Sequence, residues 1–249
     1  MEKVTTPLSI IPLRAEPSHR SEMVSQVLFG EELAVLLKEK DFVKVRMEET
    51  AYEGWVQQSQ LVPVLNHSFS SQHIVGLDDV YVTDGKQMRT LLHTTPVSTT
   101  GIQIGNTSFH IEGMLREPCL ADFDTEFYRL IDHYLGSPYM WGGRSIFGID
   151  CSGFSQACYA HFGIFLKRDA YQQADMGSTV DFITQIKPGD LAFFDNEQGK
   201  ITHVGIMVDK QTIVHASGQV RIDKMDQQGI FREDEDRYTH KLRIVKRYF

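Results

Sequence analysis

Between Val4 and Val64 apolar residues fall into short alternating runs broken by polar and glycine punctuation: "LSIIPLRAEP", "EELAVLLKEKDFVKVRM" and "EGWVQQSQLVPV". In "DFVKVRM", Phe42, Val43 and Val45 alternate with charged neighbours as a half-buried strand does, and "EETAYEG" supplies a turn back into "WVQQS". Residues 1–66 are expected to form a small antiparallel barrel. Residues 74–118 repeat the texture, with Asp84-Gly85 and Gly105-Asn106 as turn signals, and predict a second small β unit. At Asp122 the period changes from two to 3.6. Phe123, Phe127, Leu130, Ile131, Tyr134 and Leu135 mark one face of a helix that Asp122 or Asp124 can cap and Gly136 ends. A glycine-rich loop, "GSPYMWGGRSIFGID", leads into a second helix from about Cys151, with Phe154, Ala157, Cys158 and His161 on one side and Gly163 as its stop. The remainder is strand-like: "DLAFFD", "ITHVGIMV", "TIVHAS" and "KLRIVKRYF". Helices followed by a run of strands predict an α+β domain with an antiparallel sheet over 122–249.

The composition narrows the function classes. The chain has 249 residues, 41% of them hydrophobic, enough for one large domain or several small ones. Its 25 Lys and Arg are scattered against 33 Asp and Glu, for a net charge of −8, so the basic footprint of a nucleic-acid binder is missing. Three cysteines without a C-x-x-C pair argue against a disulfide framework and a zinc ribbon, and leave at least one free thiol. The first twenty residues lack an apolar run of signal-peptide length, and no stretch reaches the ~18 apolar residues of a membrane span. The expected location is cytoplasmic, or exported and periplasmic if a signal precedes Met1.

Cys151 opens a helix, where unpaired backbone N–H groups and the helix dipole can lower a thiol pKa from ~8.5 into the range of about 3.5–7.5. Cys119 and Cys158 read as buried packing thiols. Asp150 beside Cys151 disfavours a neighbouring thiolate, so the acid is assigned to substrate. A nucleophilic thiol needs a base and a group to orient that base. In "ITHVGIMV", His203 stands on the face opposite the row Thr202, Val204, Ile206 and Val208, and His215 follows in "TIVHAS". A three-residue loop from Val208 to Lys210, or a bulge with the same effect, is expected to set the two histidines opposite each other. A zinc site from Cys151, His203 and His215 is the alternative, but closely spaced ligand pairs are lacking, and neither metal nor cofactor is expected.

"SPYMWGG", "GIDCSGFSQACY", "LKRDAYQQ", "IKPGDLAFFD", "ITHVGIMV" and "TIVHASG" resemble, in the same order, the motifs of the NlpC-type (NlpC/p60) papain-like cysteine peptidases of bacterial cell-wall peptides, over about residues 122–249. The resemblance implies Cys151 as nucleophile, His203 as base, His215 as the polar residue that orients it, and Tyr139 as an oxyanion donor beside the Cys151 backbone N–H. Trp141 reads as a packed aromatic. "EGWVQQSQL" is similar to the end of bacterial SH3-like domains. Two such units before an NlpC-type domain resemble murein-peptide recycling enzymes that cut the γ-D-glutamyl bond to a diamino acid, usually meso-diaminopimelate, in short peptides with a free N-terminal L-Ala. That substrate's ammonium calls for carboxylates, with Asp150 first, Glu53 second and Tyr81 as a further contact. Ser152 is a candidate for the γ-D-glutamyl α-carboxylate and Arg168 for the anionic peptide; Ala170 replaces a hydroxyl found in some relatives. A monomer acting on L-Ala-γ-D-Glu-diamino acid is expected. The alternatives are a non-catalytic wall-binding protein, or an amidase or acyltransferase on the same fold.

Overall fold

In a computed structural model that describes residues 2–64, 73–99 and 101–249, the chain divides into two compact units. One comprises Met1–Ala121 with Ala160–Phe165, the other Asp122–Tyr159 with Leu166–Phe249. The expected boundary at residue 66 lies outside the described residues.

The alternation near the N-terminus becomes a seven-stranded antiparallel sheet in the order Met23–Leu28, Ile10–Arg14, Glu53–Gln57, Phe42–Met47, Leu33–Glu39, Lys3–Thr5 and Val62–Pro63. The hairpin expected from "EETAYEG" is present, with Arg46 opposite Glu53 and Phe42 opposite Gln57. Gly54 is required there because a Cβ would stand 2.6 Å from Leu13 Cγ and 2.9 Å from the Arg14 carbonyl oxygen. Ile11, Leu13, Val27, Leu33, Val43, Val45 and Val56 fill the core of this sheet. The strands from His73 to Arg116 form a four-stranded and a three-stranded sheet. Gly85 and Gly105 take the positive φ that their turn positions call for. Phe29 and Val62, from the first group of strands, pack into the core of the second.

The second unit begins with α1 (Phe123–Tyr134), whose Phe127, Leu130, Ile131 and Tyr134 are buried. Asp122 holds the N-cap position without a side-chain bond, and Leu135, expected on the apolar face, lies beyond the last turn and is exposed. α2 (Cys151–His161) and α3 (Ala170–Ala174) follow. Besides a two-stranded ribbon, Arg144–Ser145 with Gly148–Ile149, the strands of this unit are β1 (Ser178–Thr179), β2 (Leu191–Asp195), β3 (Ile201–Met207), β4 (Thr212–Ser217), β5 (Gln219–Met225), β6 (Gly229–Arg232) and β7 (Arg237–Arg247). They form one antiparallel sheet in the order β1-β7-β2-β3-β4-β5-β6. β7 pairs with β6 through its first half and with β2 through its second, so the sheet closes on itself.

One face of that sheet carries Leu191, Phe193, Val204, Ile206, Val214 and Ala216, all at 0% exposure. The other carries Ala192, Phe194, Met207, Ile213, Met225 and Ile230, and His203 and His215 share that second face by strand alternation. A sheet buried on both faces is rigid, which suits it to hold polar groups in a fixed geometry. Phe193→Ala should therefore lower the free energy of unfolding by about 3–5 kcal/mol in denaturant titrations; a loss below about 1 kcal/mol would contradict the packing described for that face.

Candidate active site

α2 starts at Cys151 because Asp150 caps it. Asp150 Oδ1 accepts the Gly153 backbone N–H at 2.7 Å, the side-chain bond that satisfies an orphan donor of a helix's first turn. Asp150 Oδ2 accepts the Gly142 N–H at 2.8 Å, pinning the glycine loop to the helix start. Gly142 has φ +78°, and a Cβ on Gly143 or on Gly153 would come within 2.3 Å of a backbone oxygen, so "GG" and "CSG" are what this close approach demands. Arg168 forks onto the same carboxylate, at 3.1 Å to Oδ1 and 2.5 Å to Oδ2, and donates to Ser152 Oγ at 2.7 Å. Ser152 Oγ in turn lies 3.3 Å from Asp150 Oδ1. Asp150, Ser152 and Arg168 are all buried. The sequence reading had them facing substrate; in the structure they are bound first to one another, because a buried carboxylate and guanidinium are tolerated only as a hydrogen-bonded pair. Arg168 is thereby committed inside the protein.

The Cys151 sulfur lies against β3, where the backbone N–H of Val204 hydrogen-bonds to it. Val204 directly follows His203, so the helix-start thiol sits against the strand that carries the histidine. His203 Nε2 lies 2.8 Å from His215 Nδ1, and His215 Nε2 lies 2.9 Å from Asp223 Oδ2. Arg221 holds Asp223 through Nε at 2.7 Å and Nη2 at 2.8 Å, and also reaches Asp234. These contacts fix the tautomers. The Asp223 carboxyl is held below its ordinary range; burial opposes this, but the bonds from His215 and Arg221 outweigh it, so it is an acceptor. His215 must then donate from Nε2. Burial keeps His215 and His203 neutral by pulling both below the ordinary imidazole value. A neutral His215 accepts at Nδ1, so His203 donates from Nε2 and its Nδ1 retains a lone pair.

The route to this geometry differs from the expected loop. The β3–β4 connection is Val208–Gln211, Ile206 pairs with Val214, and Met207 pairs with Ile213. Continued, this register sets Gly205 opposite His215, with His203 two residues further along the same face. The two rings meet diagonally, over Gly205. A Cβ there would stand 2.9 Å from His215 Cβ and 2.7 Å from Ile213 Cδ1, so glycine leaves the space they use.

Burial pushes the Cys151 thiol up to about 12, and the neighbouring Asp150 charge adds to this. The Val204 N–H, Arg168 and the Ser152 N–H pull the other way without prevailing. The helix start was expected to make the sulfur anionic; at this depth desolvation outweighs the dipole. The resting pair is thus neutral thiol and neutral imidazole. Tyr139 is half-buried and bridges backbone to backbone with Ile149. Burial, helped by the Asp150 charge, raises its phenol, which stays a hydrogen-bond donor.

Other expectations shift. Cys158 is buried as expected, but Cys119 is exposed, and Trp141 is 59% exposed where packing was expected. Glu53 opens its strand, exposed, 2.9 Å from Lys44, and Tyr81 lies half-buried in Val80–Thr83; both belong to the first unit. Asp223, Arg221 and His240 were not singled out from the sequence. A tight turn at Gly218 gives the register His215 opposite Arg221 and Ile213 opposite Asp223, placing both new residues on the His215 face; "HASGQVRID" carried that signal. His240 stacks on His203 at 4.1 Å and 25°, brought there by closure of the sheet through β7, for which no local signal exists.

The sequence pattern of the NlpC/P60 family matches residues 136–236, and that of a bacterial dipeptidyl-peptidase Sh3 domain matches residues 13–61. The chain is 30% identical over 216 residues to a gamma-D-glutamyl-L-lysine dipeptidyl-peptidase of Bacillus subtilis, covering 77% of this chain and 71% of that protein. It is 24% identical over 255 residues to dipeptidyl-peptidase 6 of Lysinibacillus sphaericus, covering 89% and 92%. Its fold is similar to the crystal structure of an NlpC/P60 family protein from Bacillus cereus, with a TM-score of 0.79 at 21% identity over 99% of each chain.

Iodoacetamide alkylation followed by peptide mapping should give a Cys151 rate that keeps climbing above pH 8, because the reactive thiolate remains the minor form until pH nears the raised thiol value. A plateau across neutral pH would reveal a resting thiolate and contradict the neutral pair.

Proposed function

The chain belongs to the NlpC/P60 family and is a cysteine peptidase, and from that premise we propose that it cuts the γ-D-glutamyl to diamino acid bond of short murein peptides with a free N-terminal L-Ala. The observation that carries this reading is the seating of the Cys151 sulfur beside the strand of His203, whose free lone pair is on Nδ1. As the sulfur attacks the carbonyl carbon, its proton passes to His203 Nδ1. The imidazolium then protonates the leaving amine and a thioester remains. Water attacks the thioester with His203 as base, restoring the thiol. Throughout, Nε2 keeps its proton and its bond to His215, while the Asp223 carboxylate favours the transient positive charge. Tyr139 and the Cys151 backbone N–H serve as donors to the tetrahedral oxygen; removing such a donor typically costs on the order of 100- to 1,000-fold in rate.

The relatives named as dipeptidyl-peptidases support a cut two residues from a free N-terminus, and so a site that reads an ammonium. Asp150 is assigned to that ammonium, with its charge already balanced by Arg168, and Ser152 to the D-glutamyl α-carboxylate. The diamino acid is read as meso-diaminopimelate; L-lysine, in the name of the Bacillus subtilis relative, is the comparison. The second unit is read as a papain-like α+β domain, and the strands from His73 to Arg116 as a second SH3-like unit. Two outcomes test the assignment.

L-Ala-γ-D-Glu-meso-diaminopimelate should be cut between D-Glu and the diamino acid, and its N-acetyl analogue at least about 30-fold more slowly, since acetylation removes the positive charge that Asp150 is assigned to read. Equal rates would remove the ammonium site, and failure of Cys151→Ser to abolish cleavage would remove the nucleophile. Asp223→Asn should lower kcat/KM by about 100- to 10,000-fold with the fold intact, because the relay no longer fixes His203 as base. A loss below about 3-fold would show that the carboxylate does not set the tautomer.

A further inference from the structure

His240 takes no part in the proton path, yet it completes a cluster of three imidazoles. One ring nitrogen from each of His203, His215 and His240 lies within 4.8 Å of the other two. His203 Nε2 and His215 Nδ1 face each other at 2.8 Å. The Thr239 hydroxyl lies 3.4 Å from the Ile230 carbonyl and 2.9 Å from His240 Nδ1; in the tautomer whose Nδ1–H donates to that hydroxyl, Nε2 is the lone pair His240 can offer. Two of the three rings have their outer nitrogen held by oxygen: Asp223 takes His215, and Thr239 takes His240. Outer bonds of this kind accompany metal-ligating histidines, fixing the ring and raising its basicity.

We propose that His203, His215 and His240 form a binding site for a borderline divalent transition metal, Zn²⁺ above all, and that occupancy switches the peptidase off. Three imidazoles with an open fourth position are an established zinc ligand set, and imidazole nitrogen selects Zn²⁺, Cu²⁺ and Ni²⁺ over Mg²⁺ and Ca²⁺. Zn–N bonds of about 2.0–2.1 Å at tetrahedral angles separate ligand nitrogens by roughly 3.4 Å. The His203–His215 gap therefore opens by about half an ångström. The proton balance explains the inhibition. The metal takes the Nε2 lone pair of His203, the proton formerly on Nε2 resides on Nδ1, and no lone pair is left to receive the sulfur's proton. The site is inhibitory and is distinct from a resident cofactor.

Binding is read on the full-length chain without reference to activity. Equilibrium dialysis with Zn²⁺ gives stoichiometry and affinity, and visible absorption with Co²⁺ reports tetrahedral coordination. One metal per chain is expected, with Cys151→Ser within about 3-fold of the parent affinity. His240→Gln should bind at least 10-fold more weakly, the scale on which shells of a metal site act. His240→Cys keeps a ligand and should restore the affinity, which covers the case in which the Gln variant folds poorly. In the parent chain Zn²⁺ should block hydrolysis, EDTA should restore it, and equal concentrations of Mg²⁺ should leave it unchanged. The proposal falls if no stoichiometric metal binds, or if His240→Gln binds as tightly as the parent. It falls equally if Cys151→Ser abolishes binding, since the metal would then sit on the thiol. A chain that binds metal as expected but cleaves no murein peptide would refute the assigned reaction and leave the metal site standing.

Discussion

One chain of hydrogen bonds sets what this site can do: Asp223 to His215 to His203. Every member is buried, so none can exchange its partner for water without leaving a polar atom unsatisfied. The carboxylate can only accept, and that fact propagates through two neutral rings until it determines which nitrogen of His203 is basic. Arg221 closes the far end and keeps Asp223 ionised, while the solvent-facing Asp234 partners Arg221. The sheet has to be stiff for this to hold, and the apolar packing of both its faces supplies that stiffness. Gly205 supplies the remaining condition by leaving room for the rings to approach.

Cys151 is governed by a second buried network. Asp150 caps α2, ties the Gly142 loop to it, and is neutralised by Arg168, which also holds Ser152. The same carboxylate that builds the turn raises the thiol, so placing the sulfur and ionising it are in conflict. The molecule resolves this in favour of placement. In the proposed reaction deprotonation falls to His203 at the moment of attack, which is why the lone pair on Nδ1 matters more there than the helix dipole.

Much of this was legible in the sequence, and the failures have physical causes. The 3.6 period from Phe123 to Tyr134, the alternation in "DFVKVRM" and the glycine turns at Gly85 and Gly105 are local signals, and local signals fixed those elements. His203 and His215 were rightly placed on one face, since strand alternation decides that. Their register was wrong by two residues, because loop length cannot be read from "VDKQ" alone. The charge state of Cys151 was misjudged because burial depth is a tertiary quantity. Asp223 depended on register across a second hairpin, and His240 on sheet closure through β7, whose pairing with β6 and β2 no short stretch encodes. Cys119 and Trp141, expected to pack, are exposed for the same reason: a window of sequence does not say which side of a loop faces water.

The tautomer of His203 is the point on which the account turns, and long-range ¹H–¹⁵N correlation of the resting protein at pH 7 reads it directly. A protonated Nε2 and an unprotonated Nδ1 on His203, with His215 likewise protonated at Nε2, is the expected spectrum. Protonation of His203 at Nδ1, alone or in an imidazolium, would contradict the relay and the neutral resting pair derived from it.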